Sequence, residues 1–133
     1  MDSYIIDTVA FLAYLADVLP EKANNAFKEA EKKNIKLILP SIALGETLYT
    51  IYKGKEIFRK SIPADMIDTI FQTLQNGEVI QLASMNIDAW KIFHGLDVPE
   101  LHDRMIVATF YYYRAKMIIT NDPEISERVP SIW

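Results

Sequence analysis

Four carboxylates draw attention by where they fall: Asp7, Glu46, Asp103 and Asp122. Asp7 closes the apolar run Tyr4-Ile5-Ile6 and precedes a helical stripe, so it lies where a strand becomes a helix. Asp122 follows Ile118-Ile119-Thr120-Asn121 at the tip of another apolar run. Asp103 falls in the first turn of a helix beginning at Leu101 or His102, where the positive helix end favours an anion. Glu46 lies inside a helix about one turn after Ile42, so it need not point straight into water. Singly, each has an ordinary reading: Asp7 as a helix cap, Asp103 as a helix-start residue, Asp122 before Pro123 as a turn residue, Glu46 as a solvent-facing glutamate. Together they are harder to dismiss. Charge at the end of an apolar strand is costly unless compensated, and carboxylates that converge repel one another. A divalent hard cation with oxygen ligands is the usual relief.

Competing chemistries find little support. The sequence has no cysteine, which excludes a disulfide scaffold, a thiolate zinc site and a cysteine nucleophile. Its four glycines, Gly45, Gly54, Gly77 and Gly95, allow neither G-x-G-x-x-G nor a Walker A loop. His94 and His102 have no partner at ligand spacing, so a histidine metal site is not expected, and His102 reads as part of the loop before Asp103. Asp7-Thr8-Val9 lacks the second acid that a phosphoryl-transfer domain of the haloacid-dehalogenase type needs after its first strand. The acidic pair and late lysine of a receiver domain are not clean either. A net charge of −4 argues against a general nucleic-acid coat protein. Residues 53–60 nevertheless concentrate Lys53, Lys55, Arg59 and Lys60, candidates for phosphate contacts or simply a solvated helix end, and Arg104 stands next to Asp103.

The elements that must position these residues follow from periodicity. With 50% apolar residues, 11% aromatic, and a length of 133, the chain suits one domain with a real core. Strands are expected at 4–6, 35–39, 79–82 and 117–120, with a short edge strand at 131–133. Between them lie helices: one with Val9, Leu12, Ala13, Ala16 and Leu19 on its stripe, and one over 22–33. A third runs from an N-cap at Ser41 through about Tyr52, with Ile42, Leu44, Leu48 and Ile51 on its buried side. A fourth starts at Pro63 and buries Met66, Ile67, Ile70, Phe71 and Leu74. Asn86 caps a fifth that buries Ile87, Trp90 and Phe93, and the last spans 101–114. Short apolar strands alternating with helices indicate a parallel sheet covered on both faces, a three-layer α/β/α sandwich. In such sheets functional groups collect beyond the carboxyl ends of the strands, where Asp7 and Asp122 fall.

The motifs Tyr4-Ile5-Ile6-Asp7-Thr8, Pro40-Ser41…Glu46-Thr47-Leu48, His102-Asp103-Arg104-Met105-Ile106-Val107-Ala108 and Ile118-Ile119-Thr120-Asn121-Asp122 occur in this order over nearly the whole chain. In these the sequence resembles the PIN-domain ribonucleases, within them the small single-domain toxins of VapC-like type. The resemblance implies a single domain over 1–133, a four- or five-stranded parallel sheet, a carboxylate-rich pocket and divalent-metal-dependent cleavage of RNA. Asp7, Glu46 and Asp103 match the three core acids and Asp122 a more variable fourth. Thr8, Thr120 and Asn121 match polar positions near the pocket.

Those residue types suit phosphodiester hydrolysis, since one or two Mg²⁺ or Mn²⁺ ions held by carboxylates can activate water and stabilise the developing charge. Asp7 and Asp103 are expected as direct ligands. Glu46 is read as a ligand or as the group orienting the attacking water, and Asp122 as acting through water or holding a second ion. An antitoxin protein and a homodimer are the partners the resemblance implies. A scaffold that binds without turning over is the alternative. No stretch reaches the ~20 apolar residues that cross a bilayer. The N-terminus lacks the basic region of a signal peptide, so the expected location is the cytoplasm.

Overall fold

The apolar runs pair side by side. A computed structural model describes residues 1–133. The chain begins with β1 (Ser3–Ile6), α1 (Thr8–Leu15), α2 (Glu21–Glu31), β2 (Lys36–Pro40) and α3 (Ser41–Tyr52). A small hairpin, β3 (Glu56–Ile57) and β4 (Lys60–Ser61), leads into α4 (Met66–Asn76), β5 (Ile80–Ala83) and α5 (Ile87–Gly95). The last part holds α6 (Leu101–Tyr112), β6 (Met117–Ile119), α7 (Pro123–Ser126) and β7 (Ser131–Ile132). Five strands form one parallel sheet in the order β5-β2-β1-β6-β7.

Alternation along each strand builds two cores. Ile6, Leu37, Leu39, Ile80 and Ile119 face one side, where they meet Phe11 of α1, Phe27 of α2, Ile51 of α3 and Ile70 of α4. Ile5, Ile38, Ala83 and Ile118 face the other, against Ile106, Val107 and Phe110 of α6 and Ile125 of α7. The result is the expected three-layer sandwich. Helix α3 belongs to both layers: Ala43 and Ile51 enter the first core, Ile42 packs on the second, and the helix touches both α1 and α6.

Several local features differ from the sequence expectation. Pro40 ends β2 and is itself the N-cap of α3, so Ser41 is the first helical residue and caps nothing. The deepest residues of α3 are Ala43, Thr47 and Ile51, one turn apart, while the larger Ile42, Leu44 and Leu48 are only half-buried. Helix α4 starts at Met66, three residues after Pro63, and leaves Phe71 exposed. Helix α5 lies against α6 rather than on the sheet and buries only Ala89; Ile87 and Trp90 are exposed. The basic stretch folds into the β3–β4 hairpin, whose Phe58 and Arg59 both take positive φ. Asn121-Asp122-Pro123 does not end in a simple turn, because Asp122 caps the short α7.

Candidate active site

Register places the first two groups. Ile6 of β1 pairs with Ile119 of β6, and the ladder continues one step as the Asp7 N–H donates to the Ile119 carbonyl. Asp7 and Thr120 therefore face each other just past the strand ends. Both share the parity of Ile5 and Ile118, so both side chains belong to the face covered by α6. The Thr120 hydroxyl donates to Asp7 Oδ2 and accepts from the Asp122 N–H at 3.0 Å. Asp7 also caps α1, its Oδ1 accepting from the Ala10 N–H at 2.8 Å. The cap and the candidate ligand are the same carboxyl.

The helices bring the remaining acids to that point. Asp103 lies one turn ahead of Ile106 and Val107 and two turns ahead of Phe110, on the face that α6 turns to the sheet. Its carboxyl lines the same pocket as that of Asp122, close enough for the two charges to repel. From α3, Glu46 Oε1 accepts from Thr8 Oγ1 at 2.6 Å, and Oε2 lies 3.0 Å from His102 Nδ1. Glu100 caps α6 through Oε2, which accepts from the Asp103 N–H at 2.7 Å, and its Oε1 lies 3.5 Å from the same imidazole. Asp7, Thr8, Glu46, Glu100, His102, Asp103 and Asp122 line one open pocket of about 290 Å³ at the carboxyl end of the sheet.

Electrostatics follow from burial and crowding. Asp7 is 4% exposed. Its burial pushes the carboxyl up to about 6, against the hydrogen bonds from Thr120 and Ala10, with further upward pressure from Asp122 and Glu46. Asp103 is pushed up to about 7 by desolvation first, then by the neighbouring carboxyl of Asp122, then by Glu100 and Asp7. Glu100 feels some desolvation too, but the N–H groups of Asp103 and His102 hold it below the usual carboxylate range.

Hard, anionic oxygens crowded until two of them resist ionisation are in kind what Mg²⁺ or Mn²⁺ binds. As the side chains stand, no three Asp, Glu or His groups close around a single point. Their oxygens are engaged instead with Ala10, Thr120, Thr8, His102 and, for Asp122 Oδ1, the Glu124 N–H at 2.9 Å. The donor set fits such an ion, and a bound cation would relieve the repulsion between Asp103 and Asp122.

Not every residue singled out in the sequence converges there. Asn121 is exposed and lies outside the pocket lining. Arg104 turns away to α5, where Nε and Nη2 donate to the Phe93 and His94 carbonyls at 2.8 and 3.1 Å and the guanidinium covers the Phe93 ring. Lys60 donates to the Ala16 carbonyl just past the far end of α1, and Arg59 occupies the hairpin tip. Lys53 lies over the Tyr49 ring. Lys55 alone of the basic group borders a groove continuous with the acidic pocket through Glu46 and His102. Sequence reasoning missed His102 and Glu100. Glu100 had a local signal, an acid three residues ahead of a first-turn position, which is capping-box spacing. His102 had none, because Glu46 is remote in the chain.

No curated protein matches the chain in sequence. Among solved structures it is similar to a chain of VapBC2 from Rickettsia felis, solved bound to a DNA fragment from its promoter, with a TM-score of 0.69 and 17% identity over 98% of each chain. It is also similar to Mycobacterium tuberculosis VapC20, a sarcin–ricin-loop-cleaving toxin, with a TM-score of 0.58 and 17% identity over 93% of each chain. At that identity the likeness is one of fold. Sequence decides the family: the PIN domain model matches residues 4–129, and the chain belongs to the PIN-domain family.

Proposed function

We propose that the protein is a divalent-metal-dependent ribonuclease and the toxin of a toxin–antitoxin pair. One observation carries the reading: Asp7 and Asp103, delivered by different layers, line one pocket with Glu46 and Asp122, where burial first and the neighbouring carboxylates second hold both well above their ordinary range. Membership of the PIN family and the fold shared with VapBC2 and the RNA-cleaving VapC20 support it.

Asp7, Asp103, Glu46 and Asp122 would hold one or two Mg²⁺ or Mn²⁺ ions, which supply charge neutralisation at the phosphoryl group and an acidified water. The chain's own residues set the rest. Thr120 aims Asp7 by donating to one of its oxygens, and the Ala10 N–H fixes the other. Thr8 and His102 hold Glu46 from both sides, leaving it positioned to take a ligand or a water proton. The openness of the pocket suits a polymer, which must pass across the site rather than enter it. An antitoxin chain and a second copy of this chain are the partners that fit this reading. No helix is long and apolar enough to cross a membrane.

The test is cleavage of cellular RNA with Mn²⁺, with chelator, and by the Asp103→Asn variant, together with co-expression beside the genomic neighbour. Cleavage that requires both the metal and Asp103, and growth arrest relieved by the neighbour, supports the proposal. A protein that binds RNA but never cleaves it, with any divalent ion, is the non-catalytic scaffold instead.

A further inference from the structure

Helix α3 carries more than Glu46 on its outer side. Glu46, Tyr49 and Lys53 follow one another at three- and four-residue spacing, so they form a single stripe. Side chains on a helix lean toward its N-terminus, which brings the Tyr49 ring back over the turn containing Gly45 and Glu46. Tyr49 is 56% exposed, and one face of its ring takes the Lys53 ammonium, 5.3 Å from the centroid. Gly45 is unusual here. Glycine weakens a helix interior, yet a methyl group at this position would meet nothing within 4 Å, so packing does not demand it. It leaves open floor beside Tyr49.

Gly45, Tyr49, Thr50 and Lys55 border a groove of about 420 Å³ that shares Glu46 and His102 with the acidic pocket. The two compartments differ in chemistry. One is lined by carboxylates, and its neighbour by an aromatic ring and a free ammonium. That pairing matches the two parts of a nucleotide: a base face for the ring and a phosphate for the lysine. Resting on the ribonuclease reading above, we propose that this groove is a subsite for one unpaired nucleotide flanking the scissile phosphate, its base stacked on Tyr49 and its phosphate held by Lys55. A base can stack on a side chain only when it has left its own helix, so the subsite selects single-stranded or looped RNA over a duplex.

Binding of a fluorescein-labelled single-stranded RNA, and of the same strand annealed to its complement, is measured by anisotropy with Mg²⁺ in the non-cleaving Asp103→Asn protein. Tyr49→Ala should weaken single-strand binding about tenfold, the scale of one lost base–aromatic stack. Tyr49→Phe should restore it, and duplex binding should not change. Lys55→Ala should lower the slope of log affinity against log salt by about 0.7, the contribution of one phosphate on a single strand. Gly45→Leu, a good helix former that fills the floor, should block the groove with the circular dichroism spectrum intact. Full single-strand affinity in Tyr49→Ala, or an equal loss for the duplex, overturns the subsite. Wild-type cleavage that needs Asp103 but is indifferent to Tyr49 and Lys55 in KM refutes the subsite and spares the nuclease. Oligonucleotide binding that depends on Tyr49 in a protein without any cleavage spares the subsite and refutes the nuclease.

Discussion

The Thr120 hydroxyl donates to the Asp7 carboxylate although 113 residues separate them in the chain. Because the same oxygen accepts from the Asp122 N–H, its proton has one direction available, toward Asp7. Thr120→Val keeps the shape and removes the donor. A hydrogen bond to a charged group is worth about 1.5–3 kcal/mol, and denaturant midpoints at pH 8 should show a loss of that order. Thr120→Ser should recover most of it, and at pH 5, where Asp7 is largely protonated, the loss should shrink. An equal loss at both pH values would mean the threonine matters only for packing.

Asp103→Asn removes a carboxylate without changing its size. Asp7→Asn does the same at the strand end. Each should lower Mg²⁺- or Mn²⁺-dependent RNA cleavage by orders of magnitude while leaving the fold unchanged, since each takes a ligand charge from the ion. Cleavage assays beside circular dichroism check this. Full activity in both variants would remove these acids from the site.

Metal-free stability should fall as pH rises from about 4 to about 7. Asp7 and Asp103 titrate near 6 and 7 in the folded protein, against 3.8 ordinarily. Over that interval the folded state binds more protons than the unfolded one. Stability is therefore fully present below the ordinary carboxylate pKa and is lost as pH passes the raised values. Divalent ions that bind only the folded chain should oppose that loss, adding about 1.4 kcal/mol at ten times their dissociation constant. Melting curves against pH, with and without Mn²⁺, are the measurement. A flat apo profile with no response to Mn²⁺ would show that neither acid is held above its ordinary range.

Gly45→Ala should stabilise the protein by about 1 kcal/mol, the helix-interior difference between the two residues, because the added methyl meets no neighbour. Thermal melts would show it as an upward shift. A destabilised variant would mean that the floor beside Tyr49 is already filled.

The strands and the two cores were legible because they depend on a local alternation: Ile5 and Ile6, or Ile118 and Ile119, announce opposite faces simply by adjacency. Helix α5 was misread for a related reason. Ile87, Trp90 and Phe93 mark an apolar stripe, but periodicity cannot say that this helix packs chiefly against α6, with Ala89 as its one fully buried residue. The β3–β4 hairpin was hidden because Phe58 and Arg59 adopt positive φ without the Asn-Gly or Gly pair that usually signals such a turn. Asp7, Glu46, Asp103 and Asp122 could be nominated by strand ends and helix starts. Which oxygen meets which hydroxyl could not, since Thr8 with Glu46 and His102 with Glu46 are contacts between distant segments.

The strand order has a consequence for synthesis. β1 is made before both of its neighbours in the sheet, and they follow at very different distances along the chain: β2 at Lys36–Pro40, β6 only at Met117–Ile119. Until β6 leaves the ribosome, the central strand keeps one edge of unpaired N–H and C=O groups, the template on which chains wrongly associate. The same late strand carries Thr120 and Asp122 behind it. A nascent chain thus holds that edge and its incomplete site open together, and the pairing of β6 with β1 closes both.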